Sequence, residues 1–121
     1  MTIFTVGFAL LTALLHVYIW VLESFRWTEP ATRRTFGTSE SDAEITKPMA
    51  YNQGFYNLFL AIGALGGLIW GGDEGHAIAL FACACMAGAG IVLLASDRRM
   101  LRAAATQAVP PILALVLAAI L

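Results

Sequence analysis

Runs free of Asp, Glu, Lys and Arg divide the chain into four apolar stretches: Met1 to Leu22, Pro48 to Gly72, Gly75 to Ser96 and Ala103 to Leu121. A charged side chain is expensive in hydrocarbon, and about 20 apolar residues cross it as a helix, so each stretch has the character of a membrane span. The pattern predicts an all-α fold: a four-helix transmembrane bundle with helices over about 2–23, 49–70, 76–96 and 101–120 and a long cytoplasmic loop between helices 1 and 2. A transmembrane β-barrel needs short segments of alternating polarity, and these runs are continuously apolar. The first stretch lacks the basic start of a signal peptide and is about twice as long as its usual apolar core, so it is expected to stay as a span.

Composition agrees with one integral membrane domain over residues 1–121: 60% hydrophobic, 12% charged, mean hydropathy +0.78. A net charge of −1 leaves no basic footprint for nucleic acid, so none is expected as a partner; the lipid bilayer is. The seven basic residues sort sharply. Arg26, Arg33, Arg34 and Lys47 fall in the first connection, Arg98, Arg99 and Arg102 in the third, and none elsewhere. Basic residues stay on the cytosolic side of short connections, which turns both termini outward or to the periplasm and the long loop to the cytosol. Within that loop, Trp27 sits where an interfacial aromatic belongs, Glu29-Pro30 marks a turn, and Ser41-x-x-Glu44 reads as a capping box for a short helix ahead of Pro48, with a partly ordered polar loop as the alternative.

Polar groups inside spans must find partners, so their positions are where chemistry shows. His16 and Glu23 are seven residues apart, about 20° from alignment on a helix. Asn52, Gln53, Tyr56 and Asn57 share a sector of about 140° of the second span. With Glu23, Pro48 and Arg102 at the boundary, the 1.5 Å rise puts His16 about 10 Å deep, Asn57 about 13 Å and Gln107 about 7 Å. These residues are expected to form a polar pocket that opens inward. His16 is its candidate titrating group and Glu23 the carboxylate partner. The competing reading is interhelical glue, each polar contact contributing about 0.6 to 2 kcal/mol without any ligand.

Several chemistries drop out. Cys83 and Cys85 lie about 200° apart on a helix and cannot pair, and CxC inside a span is no zinc or redox motif. His16 and His76 are expected some 20 Å apart, so no shared metal and no bis-histidine haem is expected, and no other cofactor. No nucleophile elbow, phosphate loop or dinucleotide fingerprint is present. Gly63-x3-Gly67 and Ala84-x3-Gly88 predict close helix approach, and Pro110-Pro111 a kink in the last span that frees carbonyls near Thr106 and Gln107.

These residues also carry a family resemblance along nearly the whole chain. His16-x3-Trp20-x2-Glu23, Trp27, Arg33-Arg34-x-Phe36-Gly37, Asn52-Gln53-Gly54-x-Tyr56-Asn57-x-Phe59-Leu60-Ala61 and Gln107-x-x-Pro110 resemble the DUF1304 family of small bacterial membrane proteins. The resemblance implies four membrane helices in a bacterial inner membrane and no established activity; its motif residues are His16, Glu23, Asn52, Gln53, Tyr56, Asn57 and Gln107. The leading expectation is a protein, oligomeric with a dimer as the simplest form, whose pocket binds an unknown small molecule or conducts a proton-linked transport step. An accessory or scaffold subunit of a larger membrane complex is the alternative. An intramembrane enzyme acting on a lipid or quinone-like substrate, with His16 and Glu23 as acid and base, comes last.

Overall fold

The structure, a computed structural model, describes residues 1–121. Five α-helices follow one another: α1 (Ile3–Phe25), α2 (Pro30–Phe36), α3 (Glu40–Trp70), α4 (Gly72–Ser96) and α5 (Leu101–Ile120), the last entered through a 3-10 turn at Arg98–Met100. Four of them are long and apolar enough to cross a membrane, which suggests a membrane location. They alternate in direction and close a ring in which α1 packs on α3, α3 on α4, α4 on α5, and α5 back on α1.

The long loop expected between the first two spans is instead mostly helix. Arg26 Nε bonds Glu29 Oε2 at 2.9 Å, and Pro30 opens α2 at a position where its missing N–H costs nothing. Gly37 stops α2 in the left-handed region (φ +64), and the Thr38 N–H donates to the Arg33 carbonyl at 2.9 Å. The next helix is capped by Ser39, whose hydroxyl accepts from the Asp42 N–H at 3.2 Å. Ser41, the cap expected from sequence, already lies inside that helix. No separate short helix opens at Ser41, because α3 runs unbroken from Glu40 through Pro48. Its 31 residues at 1.5 Å each make about 46 Å, more than the roughly 30 Å of hydrocarbon, so the charged first turns project beyond any span.

The interior is built from small residues. Ala9, Ala13, Ala61, Ala64, Ala82, Cys83, Met86 and Ala114 form the core, whereas Phe4, Leu14, Phe59, Ile69, Trp70 and Phe81 stand exposed on the outside. In water each such exposed side chain would forgo about 1.5–3 kcal/mol of burial; a hydrocarbon surrounding removes that penalty.

Backbones therefore approach closely. A β-carbon on Gly67 would stand 2.5 Å from the Gly75 carbonyl oxygen and 2.6 Å from Ala79 N, so α3 and α4 touch backbone to backbone. The other predicted seam, Ala84-x3-Gly88, is not one: Ala84 is exposed and nothing lies within 4 Å of a β-carbon at Gly88. The contact on that helix falls two residues later, at Gly90 against Ala108 and Ala104 of α5. Helix α5 stays helical across the buried Pro110 and Pro111, which deny an N–H to the carbonyls of Thr106 and Gln107.

Candidate functional site

At the end of the bundle that carries the arginines, α1 and α5 stand apart and leave a groove of about 1130 Å³. Helix α2 adds Ala31, Arg34, Thr35 and Phe36 to its lining, and α3 and α4 add Gln53, Asn57, Ala89 and Leu93. The local sequence explains the opening. The α5 face here carries Ala103, Thr106 and Gln107, and α4 presents Ala89, so little bulk fills the space opposite Leu15, Ile19 and Leu22 of α1.

Glu23 is the chemical centre. Only 8% exposed, it accepts a hydrogen bond at Oε1 from Asn57 Nδ2 of α3, and Asn57 is itself 6% exposed. The same Asn57 amide lies 3.3 Å from the Gln53 carbonyl one turn back. Both residues line the groove, and Oε2 of Glu23 has no partner within the chain. Close by, the Ser24 hydroxyl donates to the Tyr51 carbonyl at 2.8 Å across the same helix pair. That contact needs Gly54, where a β-carbon would collide with Ser24 Oγ and stand 3.1 Å from the Trp20 carbonyl.

Of the seven residues singled out from sequence, the groove gathers Glu23, Gln53, Asn57 and Gln107. Gln53, exposed, and Gln107, half-buried, line it, and neither side chain makes a hydrogen bond within the chain. Asn52 and Tyr56 do not line it; both are exposed, Tyr56 to 59%. The inward stripe of α3 runs through Ala50, Gly54, Asn57, Ala61 and Ala64, and positions 52 and 56 each lie about 200° from a stripe residue two places back.

His16 is also elsewhere. It is fully buried and does not line the groove. Its Nδ1 is 2.8 Å from the Thr12 carbonyl, an acceptor only, so Nδ1 carries the proton and donates. Its Nε2 and the Trp20 Nε1 one turn away are the two buried side-chain polar atoms without a partner. The expected pairing of His16 with Glu23 is not formed: each bonds a different group, and seven residues of helix separate them by about 10 Å.

Sequence reasoning missed the cations of the site. Arg34 of α2, Arg99 of the 3-10 turn and Arg102 of α5 all line the groove. Arg99 is held by Asp97 in a two-pronged contact at 3.1 and 3.0 Å, which keeps the Asp97 carboxyl below the usual carboxylate range. Arg34 and Arg102 take part in no ion pair. The signal was present: Pro30 opening a helix places Arg34 one turn in, but its charge was read only for topology.

A second cavity of about 460 Å³ lies at the opposite end, among Met1, Thr5, His76 and Leu117, and shares no lining residue with the groove. Cys83 sits in the core and Cys85 is half-buried, both as free thiols.

No curated protein and no solved structure matches the chain. The profile of the family described as "Protein of unknown function (DUF1304)" matches residues 10–119, a stretch that holds α3 and α4 whole, α5 but for its last residue and α1 from Leu10 on, together with Glu23, Asn57 and the groove arginines, and the chain belongs to that family.

Proposed function

We propose that this protein is a multi-pass inner-membrane protein that binds a small molecule in the groove at its arginine-bearing end, which faces the cytosol. Glu23 and Asn57 form the floor, and Gln53 and Gln107 supply hydrogen bonds from two further sides. The observation that carries this reading is that Gln107, half-buried, lines the cavity without a side-chain hydrogen bond in the chain. Polar residues kept only to hold helices in register are bonded across helices, as Asn57 to Glu23 and Ser24 to Tyr51 are. Gln107 is not.

Mass spectrometry of small molecules retained by the purified full chain tests the reading. The wild type is expected to retain a molecule that Gln107→Leu and Gln53→Ala lose, with helicity and elution unchanged. Retention unaltered in both variants, or an empty wild type, refutes it. The acid–base role of the His16 and Glu23 pair has no support in the geometry, since His16 lies outside the groove.

A further inference from the structure

We infer that the ligand is an amphiphile with a phosphate head and an apolar chain, an inference that rests on the groove being a binding site. Two features of the groove's lining differ in kind. Its mouth holds Arg34 and Arg102, two guanidinium groups from different helices without a carboxylate partner, beside Arg99, whose charge Asp97 already answers. Guanidinium forks from separate elements lining one groove suit a head with several anionic oxygens, as a phosphate has. A lone carboxylate would satisfy one fork and leave the other.

Much of the remaining wall is apolar. Leu22, Ile19 and Leu15 run along one side of α1 over about 10 Å, and Ala89 and Leu93 of α4 line the groove with them. A soluble anion has no use for this wall, and a purely apolar molecule has none for the arginines. Glu23, Gln53 and Gln107 line the same groove, with Glu23 Oε2 free to bond a hydroxyl or ester of the ligand. Basic residues at a membrane surface also attract anionic lipid without any site. The arginines of this chain allow that effect to be separated, because Arg98 is exposed next to the groove and does not line it.

The test uses the full chain in phosphatidylcholine nanodiscs, with phosphatidic acid as probe, diacylglycerol as its uncharged counterpart and inorganic phosphate as its soluble one. Native mass spectrometry is expected to show one phosphatidic acid per chain. Arg34→Gln and Arg102→Gln each weaken retention about tenfold, as loss of a charge-assisted contact does, while Arg98→Gln stays within about twofold. Ala89→Phe, which adds bulk to the apolar wall and keeps every charge, abolishes it.

Equal weakening by Arg98→Gln overturns the inference in favour of general surface attraction. Displacement by inorganic phosphate overturns it in favour of a soluble anion. Gln107-dependent retention of diacylglycerol, or of any other uncharged molecule, leaves the groove as a site and removes the phosphate head. If the wild type retains nothing, the inference and the reading beneath it fall together.

Discussion

Adding one methyl group to α4 at Gly90 tests how the groove is held open. A β-carbon there would stand 2.7 Å from the Ala108 β-carbon, 3.0 Å from Ala108 N and 3.1 Å from the Ala104 carbonyl oxygen. Carbon atoms in contact settle at about 3.5–4.0 Å, so Gly90→Ala requires α5 to retreat by about 1 Å. Two of the three neighbours are backbone atoms, which no rotamer change can move aside. Overpacking of this kind costs about 1–3 kcal/mol.

Replacing glycine by alanine within a helix also gains up to about 1 kcal/mol, which blurs the sign for one variant alone. Gly88→Ala, two residues earlier on the same helix, makes the same gain and meets nothing within 4 Å. Subtracting the two cancels the gain. Unfolding by SDS titration, followed by circular dichroism, should place Gly90→Ala about 1–3 kcal/mol below Gly88→Ala. A retreat of α5 also shifts Ala103 and Gln107 relative to Ala89, so ligand retention should fall with stability in the first variant only. If the two are equally stable within about 0.5 kcal/mol, the backbone crossing is not the contact that holds α5.

Two further outcomes concern the covering elements. Trp27 donates from Nε1 to Thr46 Oγ1 at 3.1 Å and packs its ring on Phe36 at 5.2 Å, so Trp27→Phe keeps the packing and deletes the bond. Amide exchange in α2 should quicken about fivefold, matching about 1 kcal/mol; unchanged exchange shows that the ring contact alone holds the helix. The Asp97 carboxyl accepts from the Arg99 N–H at 3.0 Å and from its guanidinium, and these bonds hold it below the usual carboxylate range. A depressed value means that the cap is fully present above the unfolded pKa and is lost as pH falls through the folded one. Exchange at residues 98–102 should therefore rise only under acid, and Asp97→Asn should abolish that pH dependence; a rise near neutrality contradicts the assignment.

The spans were legible because charge in hydrocarbon is costly, and the uncharged runs coincide with the four long helices. The same signal concealed the region between the first two. Charge marks where hydrocarbon ends, and α3 continues helical for more than two turns beyond that point, through Glu40, Asp42, Glu44 and Lys47. Depth counted by residue number levelled Pro48 with Glu23 and so matched Asn57 to His16; α3 in fact sits further along, with Tyr51 against Ser24, which brings Asn57 to Glu23 instead. Direction around the helix was less constrained. A ring of four helices buries only a narrow stripe of each, too narrow for a 140° sector, so Asn52 and Tyr56 turn outward. His16 shares the heading of Glu23 but lies a level deeper, where the helices have closed up around alanine. Arg34 and Arg102 depend on how α2 folds over the bundle, which no periodicity within the spans encodes.

The alanine interior has a mechanical corollary. Large side chains interlock like teeth and oppose sliding along a common axis, whereas methyl groups offer a nearly smooth track. The axial alignment of α1 on α3 then falls to one end of the pair. There Trp20 and Phe25 meet Phe55 and Tyr51 edge to face and two pins hold, Ser24 on the Tyr51 carbonyl and Asn57 on Glu23. The second pin also forms the groove floor, so a guest that draws Asn57 toward itself loosens the same bolt that keeps the two helices from slipping.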